Sequence, residues 1–189
     1  ALDGDDLQAS TLFSNVFPGN HWLFVQNASG ELDSIRFNAN CGLEPFACGD
    51  CDASDGFYQV YTQNGVMARL DLETNLFEPL QNSPAGFHIN ATGLNPEDSL
   101  AYGIERSNSN VLVVIDSEGR ALRLGGVSGL PVDDYTSGDF DSEGYLHVKI
   151  GVSQIIYKID VKLGVVTDTY QVDRSFRSND IAYNVVYDR

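Results

Sequence analysis

Two short acidic turns are the first places in the sequence where side chains could bind a metal ion. One turn contains Asp50 and Asp52, and the other contains Asp139 and Asp141. Their alternating acids match the first half of a helix-flanked calcium loop, but both turns lack the acid that such a loop needs at its twelfth position. Aspartates also accept hydrogen bonds from the backbone of their own turns. We therefore predict turn-forming aspartates first, and calcium as the one cofactor that these four acids could bind.

The three cysteines form a second candidate site, because Cys41, Cys48 and Cys51 lie close together in one turn-rich stretch. A structural zinc site needs four nitrogen or sulfur ligands at defined spacing, and the three histidines lie far away in the sequence. A disulfide is the more usual arrangement in a secreted chain. The repeat described below aligns Cys51 with apolar strand residues, which favours a Cys41–Cys48 disulfide and a buried Cys51 thiol. A Cys41–Cys51 disulfide with an exposed Cys48 is the alternative.

Two sequons could carry glycans in a secreted protein. They begin at Asn27 and at Asn90, each followed by alanine and then by serine or threonine. Asn27 falls in a predicted turn, where an acceptor asparagine is accessible. We predict both asparagines as glycosylation sites and prefer Asn27.

The sequence contains no distinctive constellation for catalysis. It has no Gly-x-Ser-x-Gly elbow and no glycine-rich phosphate loop. His147 falls on a predicted strand and is interpreted as a core or channel histidine. Trp22, Tyr58 and Tyr102 are expected to pack between repeats rather than to bind sugars. We predict no catalytic residues; an axial pocket with two acids and a histidine, none of them engaged in turns, would instead indicate an enzyme.

Composition and charge exclude several classes of protein. The 27 acidic residues against 11 basic ones give a formal net charge of −16, which is unsuited to a nucleic-acid partner. No apolar run is long enough for a membrane-spanning helix, so we predict no membrane insertion. The hydrophobic share of 42%, with 10 Phe and 9 Tyr, is typical of a globular protein. The start at Ala1 is compatible with a removed signal peptide.

One phrase recurs along most of the chain and sets its organisation. It runs from Gly138 to Asp160 and is predicted to form a turn, a strand, a short loop and a second strand. Further copies lie over Gly49–Asp71 and Gly93–Asp116, with a partial copy over Ser178–Asn184. One Asx residue in each copy marks the period, at intervals of 43, 46 and 43 residues: Asp52, Asn95, Asp141 and Asn184. Short runs of β-branched and aromatic residues between turn residues predict an all-β protein. A period near 44 residues with about four strands per unit is typical of β-propeller blades.

A second landmark gives the register within each copy. The strand after each Asx residue opens with Phe57, Tyr102 or Leu146, and thirteen residues later each copy has an apolar residue followed by aspartate. In this register His147 aligns with Tyr58 and Gly103.

These landmarks predict one β-propeller domain of about four blades over residues 1–189. Residues 21–48 and 178–189 are expected to form one closing blade, which would remove an exposed sheet edge. A stacked β-solenoid and a sandwich are the alternatives. The remaining segments are an N-terminal stretch and three repeats: 1–20, 49–92, 93–137 and 138–177.

The repeat phrases resemble an extracellular propeller-like repeat domain found in large bacterial and eukaryotic surface or adhesive proteins. Members carry phrases close to GDFDxxGxLYV and LYxIDxxTGxV, and this chain has versions at Gly138–Val148, Ile155–Val166 and Met67–Phe77. The resemblance covers Gly49–Asn184, whereas the N-terminal third and the cysteines depart from it. It implies a secreted, non-catalytic role and supplies no catalytic residues.

The function expected from the sequence is a secreted, non-catalytic module for adhesion, extracellular assembly or ligand recognition. An extracellular protein or a glycan is the expected partner. Two alternatives remain open at this point: a hydrolase or lyase that uses the axial pocket, and an acidic calcium-binding matrix protein.

Overall fold

A computed structural model describes residues 19–26, 32–39, 42–46, 57–61, 64–71, 73–83, 85–106, 109–174 and 177–184. The chain divides into two compact units, Ala1–Gly42 and Leu43–Arg189. No helix in the described ranges is long and apolar enough to cross a membrane.

The first unit contains one antiparallel hairpin. Strand β1 (Gly19–Gln26) pairs with strand β2 (Leu32–Ala39) along their full length, and the two form a two-stranded sheet.

The second unit contains three antiparallel sheets that follow one another along the chain. Each strand pairs only with its neighbours in sequence, so each sheet is a meander. The first sheet consists of β3 (Phe57–Tyr61), β4 (Val66–Asp71) and β5 (Leu76–Pro79). The second consists of β6 (Ile89–Leu94), β7 (Ala101–Glu105), β8 (Val111–Ile115) and β9 (Ala121–Gly126). The third consists of β10 (Tyr135–Phe140), β11 (Tyr145–Ile150), β12 (Ile155–Asp160) and β13 (Val165–Gln171). The described residues include no helix, which confirms the predicted all-β class.

Local turn chemistry explains why these strands form hairpins. Between β3 and β4, Asn64 and Gly65 both have positive φ angles, 61° and 60°. Two consecutive residues of positive φ are the hallmark of the tight turns that match the twist of paired strands, and Asn-Gly is their preferred sequence. A Cβ atom at Gly65 would also lie 2.6 Å from the carbonyl oxygen of Phe87, so glycine is required there for two reasons.

The repeated phrase is offset from the sheets. Its opening glycines, Gly93 and Gly138, lie inside β6 and β10, the first strands of the second and third sheets. The sequence suggested that the phrase opens on a turn. The structure corrects this, because these residues still pair with the next strand and the turn begins at Asn95 and Asp141.

The pairing register also corrects the alignment of the repeats. Phe57 lies opposite Leu70 and Leu146 lies opposite Ile159, but in the second sheet Ala101, not Tyr102, takes this position opposite Ile115. The cause is the β7–β8 connection, which is one residue longer than the equivalent connections in the other two sheets. The prediction that His147 aligns with Gly103 was therefore wrong by one residue. His147 shares its position with two tyrosines, Tyr58 and Tyr102.

The second and third sheets pack face to face, with their first strands in direct contact. A Cβ atom at Gly138 would lie 2.3 Å from the carbonyl oxygen of Ala91, and one at Gly93 would lie 2.9 Å from the Cα of Asp139. Only glycine permits such a close approach of two backbones. The ring of Tyr102 meets the ring of Phe140 edge to face across this interface, at 5.7 Å between centroids.

The two interfaces between consecutive sheets hold the apolar core. Between the first and second sheets the core is formed by Phe46, Met67, Ile89, Ala101, Val113 and Ile115. Between the second and third sheets the buried residues include Tyr102, Val114, Phe140, Leu146, Val148 and Ile159. Successive residues of a strand point to opposite faces, so each of these sets occupies alternate strand positions.

The far face of the third sheet does not belong to this core. Strands β12 and β13 are mostly half-buried or exposed. Residues 181–184 cover part of this face and are not part of a strand. The predicted pairing of this segment with residues 22–37 in one closing blade stays a prediction.

Candidate functional site

A cavity of about 660 Å³ opens on the far face of the third sheet, between the sheet and residues 181–184. Charged, aromatic and apolar side chains line it together. The polar and aromatic lining residues are Asp139, Asp141, Glu143, His147, Lys158, Tyr170 and Tyr183.

Three of these side chains form a row across the strands. Asp139 of β10 lies opposite His147 of β11, which lies opposite Lys158 of β12. Residues that lie directly opposite one another share a face of the sheet and stand close enough to interact. The antiparallel register thus brings a carboxylate, an imidazole and an ammonium group to one side of the sheet.

Asp141 binds this row from the turn that follows β10. Its Oδ1 accepts hydrogen bonds from the backbone N–H groups of Glu143 at 3.0 Å and Tyr145 at 2.9 Å. Its Oδ2 accepts from Nε2 of His147 at 2.9 Å and from Nζ of Lys158 at 3.0 Å. Burial by itself raises the pKa of the Asp141 carboxyl, but the hydrogen bonds from His147, Tyr145 and Lys158 and the charge of Lys158 outweigh it and hold the pKa below its usual value. Asp141 is therefore a buried, ionised and fully bonded carboxylate.

The bond to Asp141 fixes the orientation of the His147 ring. Because a carboxylate oxygen only accepts, Nε2 must carry the hydrogen, and Nδ1 is the nitrogen left to interact with other groups. No described residue makes a hydrogen bond to Nδ1. The ring of Tyr170 stacks on the imidazole at 5.8 Å between centroids and 21° between planes. The His147 side chain keeps 20% of its surface exposed, so the ring remains accessible from the cavity.

Lys158 completes the network. Its ammonium group contacts Oδ2 of Asp141, Oε2 of Glu143 at 3.3 Å, and the ring of Tyr145 at 4.2 Å from the centroid. Burial by itself lowers the pKa of Lys158, but the hydrogen bonds to the two carboxylates raise it above its usual value. Lys158 is therefore charged, and its position is fixed by two carboxylates of the β10–β11 turn and by the first residue of β11.

In the second sheet, the positions equivalent to this network are covered by the third sheet. Asn95 stands where the third sheet has Asp141, Tyr102 where it has His147, and Val114 where it has Lys158. All three are buried against the third sheet. The Oδ1 atom of Asn95 accepts from the backbone N–H of Glu97 at 3.0 Å, as Oδ1 of Asp141 accepts from Glu143. The third sheet thus replaces two neutral side chains and one apolar one with an ionic network.

A four-residue phrase, Asp-Ser-Glu-Gly, occurs twice and forms the same turn each time, at residues 116–119 and 141–144. In the first copy Oδ1 of Asp116 accepts from the backbone N–H groups of Glu118 at 3.0 Å and Arg120 at 2.8 Å. Its Oδ2 accepts from Nε of Arg120 at 2.7 Å and from the backbone N–H of Glu44 at 3.3 Å. One carboxylate oxygen builds the turn in both copies, and the partners of the other oxygen differ.

The hydrogen bonds of the two described aspartates of the predicted calcium site go to protein groups: Asp141 holds its turn, whereas Asp139 lies in strand β10. Asp139 accepts from the backbone N–H groups of Phe140 at 2.9 Å and Tyr183 at 2.8 Å. The Asp141 carboxylate contacts the ammonium group of Lys158, which would repel a cation. Within the described ranges no group of three or more His, Cys, Asp or Glu side chains is arranged to hold a metal ion. Asp50 and Asp52 lie outside those ranges.

Of the predicted disulfide and glycosylation sites, the structure describes only Asn90. Cys41, Cys48, Cys51 and Asn27 lie outside the described residues. Asn90 is half-buried within β6, beside a bulge at which Ala91 has a φ of 50°. Its glycosylation stays a prediction.

The Asp141–His147–Lys158 network was missed by sequence reasoning. The available signal was the repeat itself, because a correct register shows His147 replacing a tyrosine that the other two sheets carry. The one-residue error in the second sheet concealed this substitution.

The comparisons with known proteins identify a family and include a remote structural similarity. No curated protein matches the sequence. Among solved structures, selenomethionine-substituted virginiamycin B lyase from Staphylococcus aureus aligns with a TM-score of 0.44 at 11% identity. The alignment covers 78% of this chain and 47% of that one, so the chain spans about half the length of that structure. The model of the family described as "Repeat of unknown function (DUF6923)" matches residues 73–187, which is more than half of the chain. The chain therefore belongs to this family of repeats.

Proposed function

We propose that the chain is a non-catalytic binding module of a secreted protein, and that the cavity on the third sheet is its ligand site. The expected ligand is an extracellular glycan or protein. The observation that carries the proposal is the replacement of Asn95, Tyr102 and Val114 by Asp141, His147 and Lys158 at the same positions of the next sheet.

This replacement supports a functional role because it departs from what the fold itself requires. The second sheet shows that neutral and apolar side chains are sufficient to build this face. Charged side chains on a half-buried face must be paired to offset the loss of hydration, and such departures from a local pattern are expected at functional sites. The cavity volume also falls within the range of roughly 300–1,000 Å³ that is usual for ligand sites.

The proposed architecture is a four-bladed propeller in which the three sheets of the second unit are blades. Residues 21–48 and 178–189 would form the closing blade. Support comes from the segment that follows β13: the backbone oxygen of Ser178 accepts from Oγ1 of Thr136 at 3.2 Å and from Oγ of Ser137 at 3.3 Å. This segment lies beside β10 much as β10 lies beside β6. Deletion of residues 178–189 should lower the melting temperature, and an unchanged melting temperature would contradict the closing blade.

The secreted setting is proposed from the cysteines and the sequons. Intact-mass measurement after alkylation in denaturant should find one alkylated thiol without reduction and three after reduction. Three alkylated thiols without reduction would contradict the disulfide. Treatment with an endoglycosidase should reduce the mass of chain produced by a secreting eukaryotic host.

One observation favours a second function, a hydrolase or lyase. Asp141 holds the His147 ring through Nε2, and Nδ1 makes no hydrogen bond to a described residue, so Nδ1 could accept a proton as a general base. However, Asp139 and Asp141 both accept hydrogen bonds from backbone groups, and an acid engaged in this way is poorly placed to act on a substrate. The binding role is therefore preferred.

The binding proposal is tested with the labelled chain on an array of printed glycans together with purified collagen and fibronectin. The wild-type chain should bind at least one of these probes, and the double variant H147A/Y170A should lose at least about ten-fold in affinity. The matched control Leu163→Ala, an exposed side chain away from the cavity, should bind as the wild type does. Binding that is the same for all three chains would overturn the proposal.

A further inference from the structure

We infer that the cavity binds a saccharide that carries no carboxylate, sulfate or phosphate group, an inference that rests on the proposed binding function. It follows from three properties of the lining: an excess of hydrogen-bond acceptors, aromatic and apolar surface, and a surplus of negative charge.

Hydrogen-bond acceptors dominate the polar part of the lining. Asp139 and Glu143 have carboxylate oxygens, which only accept, and those of Asp139 each already accept one backbone N–H. Nδ1 of His147 makes no hydrogen bond to a described residue. The ammonium group of Lys158 is the main donor and is already shared between two carboxylates. A complementary ligand must therefore bring several donors in a small volume. The hydroxyl groups of a sugar satisfy this requirement.

Apolar and aromatic surface lies beside these acceptors. Tyr170 exposes 41% of its surface, and the Tyr183 side chain lines the cavity near it. Ile156 and Ile181 add aliphatic surface. A pyranose ring has one face of C–H groups that can cover such surface while its hydroxyl groups reach polar partners at the edge. Aromatic residues with one apolar face and a polar tip are well suited to this kind of contact.

The charge of the lining selects against acidic ligands. Three carboxylates face the cavity, from Asp139, Asp141 and Glu143, and Lys158 is the one fixed cation among the described lining residues. The whole chain adds to this, with a formal net charge of −16. An acidic sugar would place a further negative charge beside three carboxylates that share one ammonium group, and like charges in a partly desolvated site are costly.

The test is isothermal titration calorimetry of the whole chain with pairs of sugars that differ in charge. Cellobiose, chitobiose and mannobiose form the uncharged set, and digalacturonate and a sulfated disaccharide form the acidic set. At least one uncharged disaccharide should bind, and the acidic sugars should bind at least about ten-fold more weakly.

Two variants and a matched control assign the binding to the cavity. Glu143→Gln and Tyr170→Ala should each weaken binding by about ten-fold, because one removes a charged acceptor and the other removes the stacking surface. Glu118→Gln changes the equivalent glutamate of the other Asp-Ser-Glu-Gly turn, which does not line the cavity, and should leave affinity within about two-fold.

Each outcome has a defined consequence. Preferred binding of the acidic sugars, or sugar binding that neither cavity variant weakens, overturns the inference. If only collagen or fibronectin binds, and the cavity variants weaken that binding, the inference fails and the binding function stands. If the cavity variants affect the binding of no probe, both fail.

Discussion

Asn95 and Tyr102 in the second sheet occupy the positions that Asp141 and His147 occupy in the third, yet the two pairs have different surroundings. In the second sheet the next sheet covers the pair, and Tyr102 packs against Phe140. Its hydroxyl group donates to Oδ2 of Asp98 at 2.7 Å. In the third sheet the pair faces a cavity and joins Lys158 in an ionic network.

The two sheets show which features depend on the turn itself and which depend on the element that lies over the sheet face. Oδ1 of Asn95 and Oδ1 of Asp141 each accept a hydrogen bond from the backbone N–H two residues later, so either an amide or a carboxylate can form this turn. What lies over the face decides the rest. In the second sheet, which the third sheet covers, the side chains are neutral and buried; in the third sheet, which faces the cavity, they form an ionic network.

The largest difference should appear in stability. Tyr102→Ala removes a fully buried ring and leaves a cavity in the interface, and should lower the free energy of unfolding by about 3–5 kcal/mol. His147→Ala should cost about 1–2 kcal/mol, since it mainly removes one hydrogen bond to a charged group. Urea denaturation followed by circular dichroism measures both losses. Equal losses would show that the two positions are structurally equivalent.

The next effect depends on pH. Asp141→Asn keeps the turn but removes the charge that Lys158 faces, and should cost about 1–3 kcal/mol at pH 7. Because the folded-state pKa of Asp141 is lowered, its contribution is fully present above its unfolded pKa of about 4 and is lost as the pH falls through the folded value. The difference between wild type and variant in free energy of unfolding should therefore vanish in strong acid. A difference that stays constant from pH 7 to pH 2 would contradict this.

A smaller change is expected when the third sheet is given the residues of the second. The triple variant D141N/H147Y/K158V removes the whole ionic network at once, and should stay within about 1 kcal/mol of wild-type stability. Glu143 loses its partner but is exposed, so the replacement leaves no buried charge unpaired and should cost less than Asp141→Asn alone. Denaturation curves measure this, and calorimetry with the sugars should show lost binding. Sugar binding that the triple variant retains would show that the ionic network does not contribute to the binding site.

The smallest effect is expected from substitutions in the two Asp-Ser-Glu-Gly turns. Glu143→Gln and Glu118→Gln are both exposed substitutions, and each should change the free energy of unfolding by less than about 0.5 kcal/mol. Only Glu143→Gln should alter the pH at which stability declines on the alkaline side. Lys158 has a raised pKa, so its contribution is present below its unfolded pKa and is lost as the pH rises through the folded value; weakening one partner moves that loss to lower pH. Identical alkaline profiles would contradict a role for Glu143 in this pair.

The sequence was sufficient for the features that depend on local chemistry. Short runs of β-branched and aromatic residues between turn residues, together with the period of the repeat, led to the observed all-β class. Asp141 accepts the backbone hydrogen bonds expected of a turn-forming aspartate, whereas Asp139, for which the same role was predicted, lies in strand β10.

The network could not be predicted because it depends on pairing between strands. The contact between Asp141 and Lys158 requires the register of β11 on β12, and a one-residue difference in connection length is enough to misplace a side chain. The cavity depends in addition on where residues 181–184 run after β13. No pattern within the phrase specifies that path.

The two oxygens of the turn-forming aspartates have a consequence for how such a repeat can diversify. Oδ1 of Asp116 and of Asp141 is committed to the backbone, whereas Oδ2 binds an arginine in one copy and a histidine with a lysine in the other. A substitution that gives Oδ2 a new partner leaves the turn intact. Each such turn in the array therefore carries a spare acceptor at a fixed place, on which natural selection can build a new recognition site without first rebuilding the scaffold.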